Sequence, residues 1–171
     1  MTGNLRGGVL MVASMAGFAV EDVLIKQLTA TLSPAMILII LGSVGFVVFG
    51  LLAGLNGRSV LTLRALQGAV GLRNVSEMIG TFSFILALAL TSLSLTTAIL
   101  QAAPLLVTMG AALFFGEQVG WRRWSAILVG FLGMLLILRP GLEGFQPASL
   151  LAVLGVVALA LRDLVTRRVP S

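Results

Sequence analysis

The chain has 171 residues, of which 58% are hydrophobic and 10% charged, and its mean hydropathy is +1.12. Soluble proteins carry about 25% charged residues, so this composition excludes a soluble domain. The net charge of +5 comes from basic residues near the ends of apolar segments, and we expect no nucleic-acid partner. The sequence contains no cysteine and no histidine, and we expect neither a metal ion nor a cofactor.

Six apolar segments are each long enough to cross a bilayer as a helix, which takes roughly 20 residues. Lipid admits only helices or closed barrels, and the alternation of a barrel strand is absent. The sequence therefore predicts an all-α integral membrane protein. The predicted spans are Gly8–Leu28, Pro34–Leu55, Leu66–Leu90, Leu95–Phe115, Trp121–Leu138 and Ala148–Thr166.

The basic residues are divided unevenly between the two sides of the membrane. With the N-terminus in the cytoplasm, the outer side receives only Lys26 and Arg139. The inner side receives Arg6, Arg58, Arg64, Arg122, Arg123, Arg162, Arg167 and Arg168. This bias follows the positive-inside rule and predicts a cytoplasmic N-terminus, with the bacterial inner membrane as the expected location. The outer loops are too short for a catalytic domain, so no enzyme is expected.

Several residues mark the expected helix ends and helix contacts in chain order. Ser33 and Pro34 supply a cap and a first-turn proline for the second span. Pro104 falls inside the fourth span, where it should kink the helix. Small residues at helical spacing predict close helix packing on the second, third and fifth spans. They are Gly50 and Gly54; Ser76, Gly80, Ser83 and Ala87; and Ala126 and Gly130.

Polar side chains form three groups at membrane depth, where a charge costs roughly 2.5–3.5 kcal/mol on insertion scales. Within each group polar side chains recur at helical spacing, so each group predicts a polar face on its helix, although Glu21 points about 100° away from the face of Asp22 and Lys26. The groups are Glu21, Asp22 and Lys26 on the first span; Arg73, Glu77 and Thr81, with Asn74 and Ser76 beside them, on the third; and Thr97, Gln101, Pro104 and Thr108 on the fourth.

Two interpretations of these polar groups stay open. In the first they meet at a cavity for a small polar or zwitterionic solute, with Arg73 holding a carboxylate or phosphate. Glu21, Asp22 or Glu77 would then hold an amine, or a proton in proton-coupled transport. In the second, Arg73 with Glu77 and Asp22 with Lys26 are self-neutralising pairs near helix ends. The candidate cavity-lining residues are Arg73, Glu77, Asp22, Glu21, Gln101, Thr97 and Thr81.

The end of the sixth span echoes the end of the first. Ala19–Lys26 reads AVEDVLIK and Ala160–Arg167 reads ALRDLVTR, so both place an aspartate four residues before a cation. Five spans separate the two positions, so the segments cross the membrane in opposite directions, as in inverted-repeat carriers. We therefore predict a five-helix repeat over residues 1–141, and the first helix of a second, truncated repeat over residues 142–171.

A series of motifs runs from the fourth span to the end of the fifth. Its parts are Pro104-Leu105-Leu106, Gly116-Glu117, Trp121-Arg122-Arg123-Trp124, Gly130-Phe131-Leu132-Gly133 and Arg139-Pro140-Gly141. Together with Lys26 near the end of the first helix, this series resembles the EamA-type drug/metabolite transporter superfamily. The resemblance covers nearly the whole chain and is strongest over Ala98–Gly141.

The resemblance implies a carrier of ten helices, built as two inverted five-helix repeats around a cavity that opens alternately to either side. Relatives move amino acids, nucleotide sugars, cofactors and drugs, and the resemblance extends to carriers for S-adenosylmethionine-like metabolites. The sequence departs from the pattern by lacking the last four helices, and Gly42-Ser43 stands where relatives often have an arginine. Short members work as dimers, so the expected partners are a small organic solute, the bilayer, and a second copy or the missing half.

These features predict a secondary carrier for small organic metabolites or drugs that works by alternating access. A nucleotide-binding loop is absent from the sequence, which argues against an ATP-driven pump. The alternative is a non-transporting truncated membrane protein or structural subunit. In that case, neutralising Glu21, Asp22, Arg73 or Glu77 would change stability without changing any flux. Without His, Cys or Tyr, an intramembrane enzyme is disfavoured.

Overall fold

The computed structural model describes residues 2–57, 67–139, 141, 143 and 145–168, with side chains from residue 5 onward. These residues form seven α-helices and no strand, which confirms the predicted all-α class. The helices are α1 (Thr2–Leu28), α2 (Pro34–Leu55), α3 (Gly68–Leu90), α4 (Leu93–Leu100), α5 (Ala103–Phe115), α6 (Trp121–Leu138) and α7 (Ser149–Thr166).

Five segments of the described chain are long and apolar enough to cross a membrane. They are α1 from Leu5 onward, α2, the combined α4 and α5, α6 and α7. Helix α3 has 23 residues and is long enough as well, but Arg73, Asn74 and Glu77 reduce its apolar character. The predicted bounds of the second and fifth spans match α2 and α6, whereas Leu66, the predicted start of the third, lies outside the described residues.

The start of α2 is capped as predicted, and two other helices end at left-handed residues. The Ser33 hydroxyl accepts a hydrogen bond from the backbone N–H of Met36 (3.3 Å), and Pro34 occupies the first turn of α2. Gly116 follows the last residue of α5, and its positive φ of 65° suits a residue without a side chain. Helix α6 ends at Arg139 with φ of 49°, so these two termini are closed by left-handed residues.

The fourth predicted span is two helices, because the chain breaks between α4 and α5. Pro104 has no N–H and therefore cannot donate to the carbonyl of Leu100, which would continue the helix. Gln101 and Ala102 form the intervening turn, in which the N–H of Ala102 donates to the carbonyl of Ile99 (3.0 Å). The predicted disruption at Pro104 is confirmed, and it takes the form of a break at its N-terminal side.

Helix α7 packs most extensively against α3, and the two helices run antiparallel. A side-chain carbon on Gly155 would lie 3.3 Å from the carbonyl oxygen of Gly80 and 3.3 Å from the backbone nitrogen of Phe84. The backbones therefore approach as closely as small residues allow. The small-residue stripe predicted on α3 makes this approach possible, since its members are all buried: Ser76, Gly80, Ser83 and Ala87.

Helices α4, α5 and α6 complete the group around α7. Leu164 of α7 lies over Gly110 of α5, and Leu105 of α5 lies over Gly130 of α6, as the small-residue spacing on α6 predicted. The main hydrophobic core joins five buried residues from α3, α4, α6 and α7: Ala87, Ile99, Leu138, Ala152 and Val156. Helix α7 thus occupies the centre of the helix group.

Helices α1 and α2 lie at the side of this group and are mostly exposed. Their contact with α3 is a second cluster formed by Ile25, Ile37, Ile85 and Leu88. The predicted packing stripe on α2 meets no neighbour within the described chain, since side chains added at Gly50 or Gly54 would point into open space. Most of the apolar surface of α1 and α2 is therefore exposed in the described part of the chain.

Candidate functional site

A cluster of polar side chains joins the start of α3 to the end of α7. One guanidinium nitrogen of Arg162, Nη1, donates to both carboxylate oxygens of Glu77 (3.0 and 2.9 Å). The Nε and Nη2 atoms of the same side chain contact Oδ1 of Asp163 (2.8 and 2.7 Å). Because Glu77 is on α3 and Asp163 on α7, a single cation bridges two carboxylates across the helix interface.

Arg73 joins the same cluster through neutral groups. Its Nε donates to the hydroxyl oxygen of Thr166 (3.2 Å) and its Nη1 to the side-chain oxygen of Asn74 (3.2 Å). The Thr166 hydroxyl in turn donates to the backbone carbonyl of Arg162 (2.7 Å). We call these six residues the α3–α7 polar cluster: Arg73, Asn74, Glu77, Arg162, Asp163 and Thr166.

The cluster corrects the expected pairing of Arg73 with Glu77. In the described chain Glu77 pairs with Arg162, 85 residues away, and Arg73 contacts Thr166 and Asn74. Spacing of four residues within one helix favoured the local pair, but the close approach of α7 brings a second cation to Glu77. The sequence analysis placed Arg162 among the basic residues of the inner side, and no spacing in the sequence marks it as the partner of Glu77.

Lys26 of the first span caps the opposite end of α3. Its Nζ donates to the carbonyls of Leu88 and Thr91, each at 2.7 Å, and so satisfies backbone acceptors at the C-terminus of that helix. A cation is favourable there because the helix dipole is negative at its C-terminus. The Asp22–Lys26 pair of the second interpretation is not formed: no ion pair joins these two side chains in the described chain.

Two other candidate residues, Glu21 and Asp22, lie far from the α3–α7 polar cluster along the helix axes. Glu21 is exposed, Asp22 is half-buried, and both lie near the Lys26 end of α1. Leu88, which Lys26 contacts, and Arg73 are separated on α3 by about 22 Å along the helix axis. The structure therefore brings Arg73 and Glu77 together with α7 but leaves Glu21 and Asp22 near the other end of α3.

The polar face of the fourth span is divided by the break between α4 and α5. Thr97 donates to the carbonyl of Leu93 (2.8 Å), and Thr108 donates to the carbonyl of Pro104 (2.8 Å). Gln101 is exposed at the break itself, and Thr81 is half-buried one turn beyond Glu77 on α3. The hydroxyls of Thr97 and Thr108 thus bond to their own helices, whereas the side chain of Gln101 is exposed.

A second ion pair lies at the same end of the molecule, outside the α3–α7 polar cluster. Arg167 donates to the carboxylate of Glu117 (2.6 Å) just after α5 ends. The side chains of Arg167 and Glu117 are 46% and 52% exposed. Those of Arg162 and Glu77 are less exposed, at 29% and 37%. The described residues therefore include one half-buried and one exposed arginine–glutamate pair, and each can serve as a control for the other.

These helices and their charged cluster define a helical integral membrane protein. The chain belongs to the EamA-like transporter family, whose family model matches residues 5–139. No solved structure matches it.

Three similar proteins are named as transporters. The S-adenosylmethionine uptake transporter of Rickettsia bellii (strain RML369-C) is 30% identical over 97 residues, which is 57% of this chain and 33% of the relative. The riboflavin transporter of Rhizobium johnstonii is 34% identical over 95 residues, 56% of this chain and 32% of the relative. The pseudopaline exporter CntI of Pseudomonas aeruginosa (strain UCBPP-PA14) is 28% identical over 162 residues, which is 90% of this chain and 53% of the relative. The chain thus spans from one third to about half of these relatives.

Proposed function

We propose that this chain forms part of the solute pathway of a secondary carrier for small organic metabolites or drugs, which works by alternating access. The observation that carries the proposal is the Arg162–Glu77 ion pair between two span-length helices in a chain of a transporter family. Charges at membrane depth are costly and are typically kept where they face a pathway. Both side chains are only half-buried, so they remain reachable by a solute.

The α3–α7 polar cluster is the proposed inner binding point. Arg73 contacts neutral side chains, and its planar guanidinium suits the carboxylate or phosphate of a solute. Glu77 and Asp163 share Arg162, so the amine of a zwitterionic solute would compete with that arginine for either carboxylate. Exchange of partners at this cluster would loosen α7 from α3, which is the motion that alternating access requires.

The other candidate residues form a proposed second binding point on the way to the outer side. Glu21 and Asp22 lie near the outer end of α1, and Gln101 is exposed at the break between α4 and α5. Thr97 lies on α4, one turn before Gln101, and Thr81 lies on α3, one turn beyond Glu77. A solute leaving the inner cluster would pass this second set of acidic and amide groups.

The proposed location is the bacterial inner membrane, with the N-terminus in the cytoplasm. The supporting observation is the excess of basic residues on one side of the predicted topology. The α3–α7 polar cluster would then lie toward the cytoplasm, and Lys26 toward the outside. Since the chain spans only part of its relatives, we propose that a second copy or the second half of a carrier completes the pathway.

Reconstitution in liposomes tests the proposal. The purified chain is assayed for uptake and exchange of S-adenosylmethionine, riboflavin, amino acids and cationic drugs, beside the Arg73→Ala/Glu77→Ala double variant. We expect saturable flux of at least one solute, and its loss in the double variant with helical content retained by circular dichroism. If the wild-type chain moves no solute on the panel, the proposal that copies of this chain complete the pathway fails and the non-transporting alternative gains.

A further inference from the structure

A crevice of about 170 Å³ opens between the inner ends of α3, α5 and α7. Its lining is apolar except at one edge, where Arg168 stands. The apolar side chains come from all three helices and include Leu72, Phe114, Phe115 and Leu161. Leu72, Phe114 and Leu161 are exposed, at 49%, 69% and 41%, so the crevice opens at the surface of the described helices.

Arg168 is held over this crevice by an aromatic ring. Its guanidinium carbon lies 4.9 Å from the ring centroid of Phe115, within the range of a cation–π contact. The neighbouring Arg167 is neutralised by Glu117, but no carboxylate lies within ion-pair distance of Arg168 in the part of the chain that the structure describes. The crevice therefore has an apolar interior and a positive charge at its mouth.

The proposed topology places the crevice at the cytoplasmic surface of the bilayer, and this position favours a lipid as its occupant. The arginine bias places the ends of α5 and α7 at the cytoplasmic surface, where anionic lipids give the leaflet a negative potential. Basic pockets between helices on this side are a recurrent form of lipid headgroup site. An anionic phospholipid matches both parts of the crevice, since its acyl chain is apolar and its phosphate is negatively charged.

We propose that this crevice is a binding site for one anionic phospholipid. The acyl chain lies against Leu72, Phe114 and Leu161, and the phosphate pairs with Arg168. The Arg167–Glu117 ion pair holds the end of α7 to the end of α5 and so keeps Arg168 above the crevice. A bound lipid therefore ties three helices together at the cytoplasmic surface. This site is independent of the proposed solute pathway.

Native mass spectrometry of the purified chain tests this site. The chain is released from nanodiscs of phosphatidylglycerol and phosphatidylcholine in equal amounts, and the lipids that stay bound are counted. We expect one retained phosphatidylglycerol in preference to phosphatidylcholine. Arg168→Gln removes the charge, and Leu161→Trp fills the crevice while leaving the charge in place. Arg168→Gln should lower the retained phosphatidylglycerol about fivefold, the effect of one basic residue near an anionic surface. Leu161→Trp should lower it as well, because the acyl chain loses its place in the crevice.

Arg123→Gln is the matched control, because Arg123 lies at the same end of the molecule but does not line the crevice. Its retained lipid should be unchanged, and Arg168→Lys should keep most of the wild-type binding. An equal loss in Arg123→Gln would overturn the proposal, since binding would then follow net charge. Unchanged retention in Leu161→Trp would also overturn the proposal. So would equal retention of the two lipids by the wild-type chain, and this result does not depend on the folding of any variant.

Discussion

The contact between Arg162 and Glu77 shows how a charge can be kept within an apolar helix group. Glu77 on α3 has no ion-pair partner on its own helix in the described chain, and α7 supplies one. Asp163 shares the same guanidinium, so the pair is part of a network and not an isolated contact. Removing Arg162 leaves Glu77 without its cation, whereas removing Glu77 leaves Arg162 with Asp163 alone. Removing one charge of a pair generally costs more than removing both.

A double-mutant cycle on Arg162→Gln and Glu77→Gln measures this dependence. Each single change should lower the unfolding temperature in detergent, and the double variant should lose less than the sum of the two. The expected coupling is about 0.5–3 kcal/mol, as for residues in one network. The exposed Arg167–Glu117 pair is the control, for which about 0.2–1 kcal/mol is typical. Equal coupling at the two pairs would show that the α3–α7 environment adds nothing.

Lys26 provides a second residue-scale test, because it caps the carbonyls of Leu88 and Thr91 at the end of α3. Lys26→Met removes both donors and keeps much of the side-chain volume. Hydrogen bonds to charged groups contribute about 1.5–3 kcal/mol, so the free energy of unfolding should fall by about that amount. Arg6→Met removes an exposed cation near the other end of α1 and should have little effect. Similar losses in both variants would contradict the capping role.

The interface between α3 and α7 is the contact on which the helix arrangement depends most. Gly155→Leu places a side chain against the backbone at Gly80 and Phe84, where nothing flexible can give way. Overpacking of this kind costs about 1–3 kcal/mol, so a clear loss of thermal stability is expected. Gly133→Leu on α6 adds the same atoms where nothing lies near, and it should be tolerated. A Gly155→Leu variant as stable as Gly133→Leu would disprove the close approach.

The break between α4 and α5 makes a separate prediction about helix continuity. Pro104→Ala restores a backbone donor opposite the carbonyl of Leu100, so the two helices should tend to join. Hydrogen–deuterium exchange of the amides from Gln101 to Val107 should become slower than in the wild-type chain. Unchanged exchange there would mean that contacts other than the proline hold the break open.

Much of the element arrangement could be predicted from the sequence, because the signals that define it are local. Ser33 and Pro34 fixed the start of α2, apolar length fixed the bounds of α6, and Pro104 located the break. The partner of Glu77 could not be found in this way. A spacing of four residues pointed to Arg73, whereas the actual partner depends on how α7 packs against α3.

The same limit applies to the charged residues of the first span. Asp22 and Lys26 have the spacing of a helical pair, yet Lys26 reaches instead to the end of α3. Unpaired carbonyls at a helix end are a property of the folded arrangement and leave no mark at position 26. The small-residue stripe on α3 predicted a close helix neighbour, but the sequence did not identify that neighbour as α7.

At the scale of the whole molecule, α7 lies between α3, α4 and α5, while α1 and α2 remain largely exposed. The predicted division into a repeat over residues 1–141 and a further helix over residues 142–171 stays a prediction, and its boundary falls within one packed group of helices. The helix assigned to the second repeat is the best-buried of the candidate spans. Its C-terminal end and the start of α3 share one polar cluster at the proposed cytoplasmic side.

The proposed topology is directly testable because the sequence contains no cysteine. Single cysteines are introduced at two exposed loop positions, Ala30→Cys between α1 and α2 and Gln118→Cys between α5 and α6. A membrane-impermeant maleimide added to intact spheroplasts should label Ala30→Cys and not Gln118→Cys, while permeabilisation should expose both. Labelling with the reverse preference would place the N-terminus outside.

The central claim is that the α3–α7 polar cluster lies on a solute pathway, and flux through matched variants tests it most directly. Glu77→Gln and Glu117→Gln each remove one carboxylate from an arginine pair at the same end of the molecule. In proteoliposomes containing a transported solute, we predict that Glu77→Gln lowers the exchange rate about tenfold or more, as expected for a charge that contacts the solute. Glu117→Gln should retain nearly the wild-type rate. Equal rates in the two variants, with both folded, would contradict the claim.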